Sequence, residues 1–146
     1  MKKISMPILR SFIAACAITA VSAASAAGSE SVTAVISKQC SGECITFTAD
    51  SSEYNVKILF TASETVSDFS FTSVEMKDFV NGRPVFDTAP LMSLKTLDPE
   101  KPLLVTMTFF GDLPSYGITY TDRKGKQHNY TVEMSGKDGS VVLNPF

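Results

Sequence analysis

Residues 116–135 read YGITYTDRKGKQHNYTVEMS, and this stretch decides the fold class. Tyr116, Ile118 and Tyr120 alternate with Gly117, Thr119 and Thr121. A period of two puts apolar side chains on one face of a strand and polar ones on the other. Asp122-Arg123-Lys124-Gly125 has the composition of a type I turn closed by a left-handed glycine. Gln127 to Ser135 then returns with His128, Tyr130, Val132 and Met134 in phase. Two alternating segments joined by a short turn predict a β-hairpin with one face turned to a core.

The same pattern recurs on the N-terminal side. Val32, Ala34 and Ile36 share a face within Ser31 to Ser37, and Ile45 and Phe47 point inward within Cys44 to Ala49. Tyr54 to Ala62 puts Tyr54, Val56, Ile58 and Phe60 on one face. Asp68 to Met76 starts with Phe69 and Phe71 in phase and then shifts to Val74 and Met76, which predicts a β-bulge near Thr72–Ser73. Asn81-Gly82 separates Lys77–Val80 from Arg83–Asp87. Both residues tolerate positive φ, so a two-residue hairpin turn is expected there. Pro84 confines the second arm to a sheet edge. Leu91, Leu94 and Leu97, spaced by three, suit a helical turn or a loop plugging the core. Asp98 to Pro102 is a rigid connector, Leu103 to Phe110 the most apolar strand, and Ser140 to Leu143 the last one.

About seven to eight short strands, with no repeat and no domain boundary, predict an all-β chain. Strong apolar faces backed by polar ones favour two packed antiparallel sheets, a single β-sandwich over residues 27–146. A membrane barrel is disfavoured by short segments, by the absence of Trp for interfacial girdles, and by Pro145 just before the terminal Phe146. Leu97-Asp98-Pro99-Glu100-Lys101-Pro102-Leu103, Gly117-Ile118-Thr119-Tyr120, Gly125-Lys126 and Tyr130 resemble bacterial periplasmic immunoglobulin-like domains. In those domains a Leu-x-Pro connector leads into a late strand and a tight C-terminal hairpin. The resemblance implies an immunoglobulin-like sandwich and no particular activity.

The first residues read as a targeting segment. Lys2, Lys3 and Arg10 precede an uncharged run of small and apolar residues, Ser11 to Ala24, and Ala24-Ser25-Ala26 offers a cleavage site. A signal peptide over residues 1–26 therefore directs the mature chain to the periplasm or outside the cell. The alternative is a lipoprotein anchored at Cys16, whose preceding Ile13-Ala14-Ala15 resembles a lipidation box. Removing three of the 13 basic residues leaves 10 against 15 acidic, a net charge of −5. No basic surface for nucleic acid follows from that balance.

Cys40 and Cys44 stand five residues apart inclusively, and an oxidising compartment favours their pairing. Closing so small a ring contributes about 2 kcal/mol by the chain-entropy relation, so the disulfide shapes a local tip more than it holds the fold. Ser41, Gly42 and Glu43 would then form a rigid exposed tip able to meet a partner. A different reading is redox or copper handling by Cys40, Cys44 and His128, the one histidine. Against it, an acidic Glu43 between the thiols is expected to work against thiolate formation, and no helix N-terminus precedes them. No Gly-x-Ser-x-Gly elbow, His-Glu-x-x-His or phosphate loop is present. His128 has no acidic residue in its own strand phase, since Glu133 falls on the other face. The expectation is a cofactor-free, non-catalytic protein that binds an envelope protein. A pilus-type subunit accepting a strand at a sheet edge is a further alternative.

Overall fold

The alternating segments pair as their faces require. The computed structural model describes residues 31–146, so the expected signal peptide, the Ala26 cleavage site and Cys16 lie outside the described residues. Nine strands follow in order: β1 (Val32–Ile36), β2 (Ile45–Thr48), β3 (Val56–Ala62), β4 (Val66–Val80), β5 (Arg83–Leu97), β6 (Leu103–Met107), β7 (Tyr116–Thr121), β8 (Gln127–Met134) and β9 (Val141–Pro145). They form two sheets. Sheet A runs β1-β3-β6-β2 and sheet B runs β5-β4-β7-β8-β9. Pairing is antiparallel except between β2 and β6, which run parallel. The described residues are therefore all-β, as their period-two patterning requires.

One core lies between the sheets. Sheet A contributes Val32, Ile58, Phe60, Leu103, Val105 and Met107, and sheet B answers with Phe69, Phe71, Ile118, Tyr120, Val132 and Leu143. Phe60 meets Phe69 and Phe71 across the layers at centroid distances of 6.3 and 6.0 Å, and Phe47 meets Phe71 edge-on at 6.1 Å. Aromatic rings prefer such tilted contacts, because the positive edge of one faces the negative face of the next. No described helix is long and apolar enough to cross a membrane.

Three expectations change. Leu91, Leu94 and Leu97 are neither helical nor a plug; they belong to β5. Their pairing explains why, since Met92 and Leu94 lie opposite Phe71 and Phe69 and complete the same core face. Tyr54 precedes β3 and is exposed, because the chain turns through Ser52–Asn55 before pairing begins. The bulge near Thr72 is real, but its extra residue is on the partner strand. Phe71 faces Met92 while Thr72 faces Pro90, which leaves Leu91 as the insertion. Against β7 the same stretch of β4 is regular, so Val74 does turn to the outer face beside Thr72. A second irregularity, unforeseen, falls at Asp68, whose φ of 50° breaks the register with β7 between Ser67 and Ser70. Asp is one of the few side chains that tolerate this left-handed backbone.

Candidate functional site

The Cys40–Cys44 loop was the first candidate. β1 and β2 occupy opposite edges of sheet A, so residues 37–44 must cross its width. Ser41, Gly42 and Glu43 are exposed, as expected, and Gly42 bends the tip with φ 98°. The expected disulfide is not formed: Cys40 and Cys44 are free thiols, and the pair is not at disulfide distance. The connection spans the width of sheet A, and Glu43 beside Cys44 meets Lys101 at 3.0 Å in an exposed ion pair of little energetic weight. The Cys40 thiol is pushed up to about 11, first by its hydrogen bond with Cys44 and then by desolvation. A nucleophilic redox thiol needs the opposite shift.

His128 was the second candidate, and here the sequence reading missed a partner. Tyr120 pairs with His128 and Thr121 with Gln127 across the hairpin, so the turn residue Asp122 lies one step past the last pair. Asp122 Oδ2 sits 2.7 Å from His128 Nε2, and the Tyr130 hydroxyl is 3.3 Å from Nδ1. Asp122 Oδ1 accepts from the backbone N–H groups of Lys124 and Lys126, both at 2.9 Å. The ionised Asp122 carboxylate accepts from the Nε2–H, and the Tyr130 hydroxyl serves Nδ1 as either donor or acceptor. The Asp122 carboxyl is held below its usual range, chiefly by the His128 hydrogen bond and then by the Lys126 N–H. Tyr120 stacks on the imidazole at 4.9 Å. Through these contacts the Asp122–His128 pair ties the hairpin turn to β8. The structure also keeps His128 apart from the cysteines: no three His, Cys, Asp or Glu side chains gather to hold a metal among the described residues.

The third candidate emerges only from the fold. β4 and β5 run 15 residues each, far past the last β4–β7 pair at Ser73–Tyr116. Asn81 (φ 52°) and Gly82 (φ 75°) close their distal end in the turn that the sequence predicts. From Glu75 to Val80 every β4 residue is exposed, including Met76, Phe79 (62%) and Val80; Val85 is exposed opposite them. Lys77 and Asp87 pair across the ribbon at 3.2 Å, an exposed ion pair that contributes little to stability.

The ribbon does not run straight. Phe86 on β5 meets Phe146 edge-on, with ring centroids 5.1 Å apart. Phe146 follows β9, and β5 and β9 are the two opposite edges of sheet B. Contact between them requires the ribbon to arch over the sheet's outer face. The register shifts at Leu91 and at Lys77 supply the bend, since an extra residue in one strand kinks and twists a ladder. Beneath the arch lies a cleft of ≈ 420 Å³ whose floor is Ser70, Thr72, Thr119 and Asn129 and whose rim includes Phe86 and Phe146.

Compared with known protein families, curated proteins and solved structures, the chain matches none.

Proposed function

We propose that this protein is an exported, non-catalytic binding module that grips an envelope protein with the arched β4–β5 ribbon. The observation that carries this reading is the uncovered apolar tip: Met76, Phe79, Val80 and Val85 sit exposed on a ribbon that adds nothing to the core there. Ordering two strands beyond the sandwich costs about 1–2 kcal/mol per residue in backbone entropy. Burial of those side chains against a partner offsets that cost, at roughly 25 cal/mol per Å² of apolar surface. The fitting partner is a protein with an apolar, mildly basic surface, since the mature chain carries a net charge of −5. Export rests on the N-terminal sequence, and an immunoglobulin-like relationship rests on the two-sheet architecture together with the Leu97–Leu103 connector.

A photocrosslinker at Phe79 in cells, with one at exposed Lys137 as the control, tests the ribbon. A defined envelope protein crosslinked at residue 79, absent from residue 137 and lost with Val80→Ser, is the expected result. No product at residue 79, or equal products at both sites, rejects the ribbon as the contact.

A further inference from the structure

We infer that the cleft beneath the ribbon binds a neutral carbohydrate. Its lining is Ser70, Thr72, Thr88, Thr119, Gln127 and Asn129, with Phe86, Pro90 and Phe146 as the apolar surface, and no charged side chain among them. A charged ligand would find no counter-ion there. Hydroxyl and amide groups both donate and accept, which matches the mixed donor and acceptor pattern of sugar hydroxyls. The Phe86 and Phe146 rings at the rim supply apolar surface for the C–H faces of a pyranose, an apolar body with polar edges. A volume of ≈ 420 Å³ lies within the range of small-ligand clefts.

Thr72 gives the independent pointer. It is only 3% exposed, and its Oγ1 is fully buried with no hydrogen-bond partner in the protein. Native structures rarely leave a buried hydroxyl unpaired, and such an orphan asks for an explanation. The hydroxyl rests above Gly117, which has no Cβ to cover it. In this conformer the hydroxyl is closed off from the cleft, and the inference includes one staggered step about χ1 that turns it from Gly117 toward the ligand. Ser70, by contrast, already pairs with Ser93 at 2.9 Å and lies on the same outer face. A sugar hydroxyl satisfies Thr72, and the rings of Phe86 and Phe146 hold the sugar against the floor.

The inference stands apart from the ribbon-tip proposal, because the two use different residues. The test is NMR titration of the ¹⁵N-labelled protein with three neutral oligosaccharides: maltohexaose, cellohexaose and the β-1,4-linked N-acetylglucosamine hexamer. A neutral Gly-Ser peptide is the control ligand. Roughly 10 mM of each probe populates complexes with Kd up to the millimolar range. The expected result is a shift of the Thr119 amide and of the Gln127 and Asn129 side-chain amides with one or more sugars. Thr72→Val should weaken that binding about three- to tenfold, the worth of one neutral hydrogen bond, without lowering the melting temperature. Phe146→Ala should weaken it by a similar factor. Val80→Ser should leave it unchanged. No shift with any of the three sugars overturns the inference. So do shifts that persist at full strength in both Thr72→Val and Phe146→Ala, or cleft shifts given by the peptide and not by the sugars.

Discussion

Gly117→Ala is the sharpest test of how sheet B is packed. A Cβ placed on Gly117 comes within 2.7 Å of the Tyr130 carbonyl oxygen, 2.8 Å of a Val74 methyl and 3.2 Å of Thr72 Oγ1. Gly117 lies on β7 between β4 and β8, so the clash falls in the middle of a five-stranded sheet. The Val74 methyl can yield. The Tyr130 oxygen belongs to the β8 backbone and moves only if the β7–β8 ladder moves with it. Two opposing terms decide the sign. Replacing Gly by Ala stabilises by about 0.4–1 kcal/mol through the unfolded chain. Forcing an extra carbon into a packed site costs about 1–3 kcal/mol. The net expectation is a loss of about 1–2 kcal/mol. For a domain of this size each kcal/mol moves the melting temperature by about 4 °C, so a fall of roughly 4–8 °C follows.

The measurement is urea unfolding followed by tyrosine fluorescence and circular dichroism, since the chain has no Trp. Gly136→Ala is the matched control: nothing lies within 4 Å of its Cβ position, so only the entropic gain applies. A Gly117→Ala midpoint equal to or above that of Gly136→Ala would refute the outer-face packing of Val74 and Thr72, and with it the floor of the cleft.

Three further outcomes are expected. Asp122 has a depressed pKa, so its contribution to stability is complete above the ordinary carboxylate value near ~4 and is lost as pH falls through its lower folded value. The parent should therefore lose stability more steeply between about pH 4 and pH 2 than Asp122→Asn does; parallel urea midpoints across that range would show that the His128 contact is unimportant. Cys44→Ala removes the hydrogen bond that raises Cys40 to about 11, so iodoacetamide should alkylate Cys40 at least about tenfold faster at pH ~8. Gly82→Ala strains a turn residue held at φ 75°, at a cost of about 1 kcal/mol. Amide exchange should quicken in residues 75–80 and 83–88 while the global unfolding midpoint barely moves, because the ribbon tip lies outside the core.

How much of this was legible in the sequence depends on the range of the interaction. Local period and turn chemistry placed β7, β8 and β6 and the Asn81-Gly82 turn, because each depends on residues within a few positions. The Asp122–His128 pair escaped a search along strand phase, since Asp122 sits in the turn. Its signal was present all the same: pairing Thr121 with Gln127 puts the first turn residue diagonal to His128. The helical reading of Leu91, Leu94 and Leu97 failed because two irregularities, the inserted Leu91 and the break opposite Asp68, mimic a spacing of three. Only the Phe69 and Phe71 partners reveal that β5 continues. The cleft had no sequence signal, because Phe86 and Phe146 meet only after two register shifts bend the ribbon over β7 and β8 to the end of β9.

The edges of sheet B bear on the proposed mode of binding. An open sandwich can accept a strand wherever an edge offers a run of free N–H and C=O groups. On β5 that run is broken by Pro84 and Pro90, and β9 ends at Pro145. Proline carries no N–H, so each removes a donor that an incoming strand would need. Strand addition of the pilus type is thus poorly served at both edges of this sheet. The exposed Phe79, Val80 and Val85 side chains and the polar floor beneath the arch do not depend on those donors. On sheet B, side-chain recognition at the ribbon tip and in the cleft is the proposed mode that this placement of prolines does not impair.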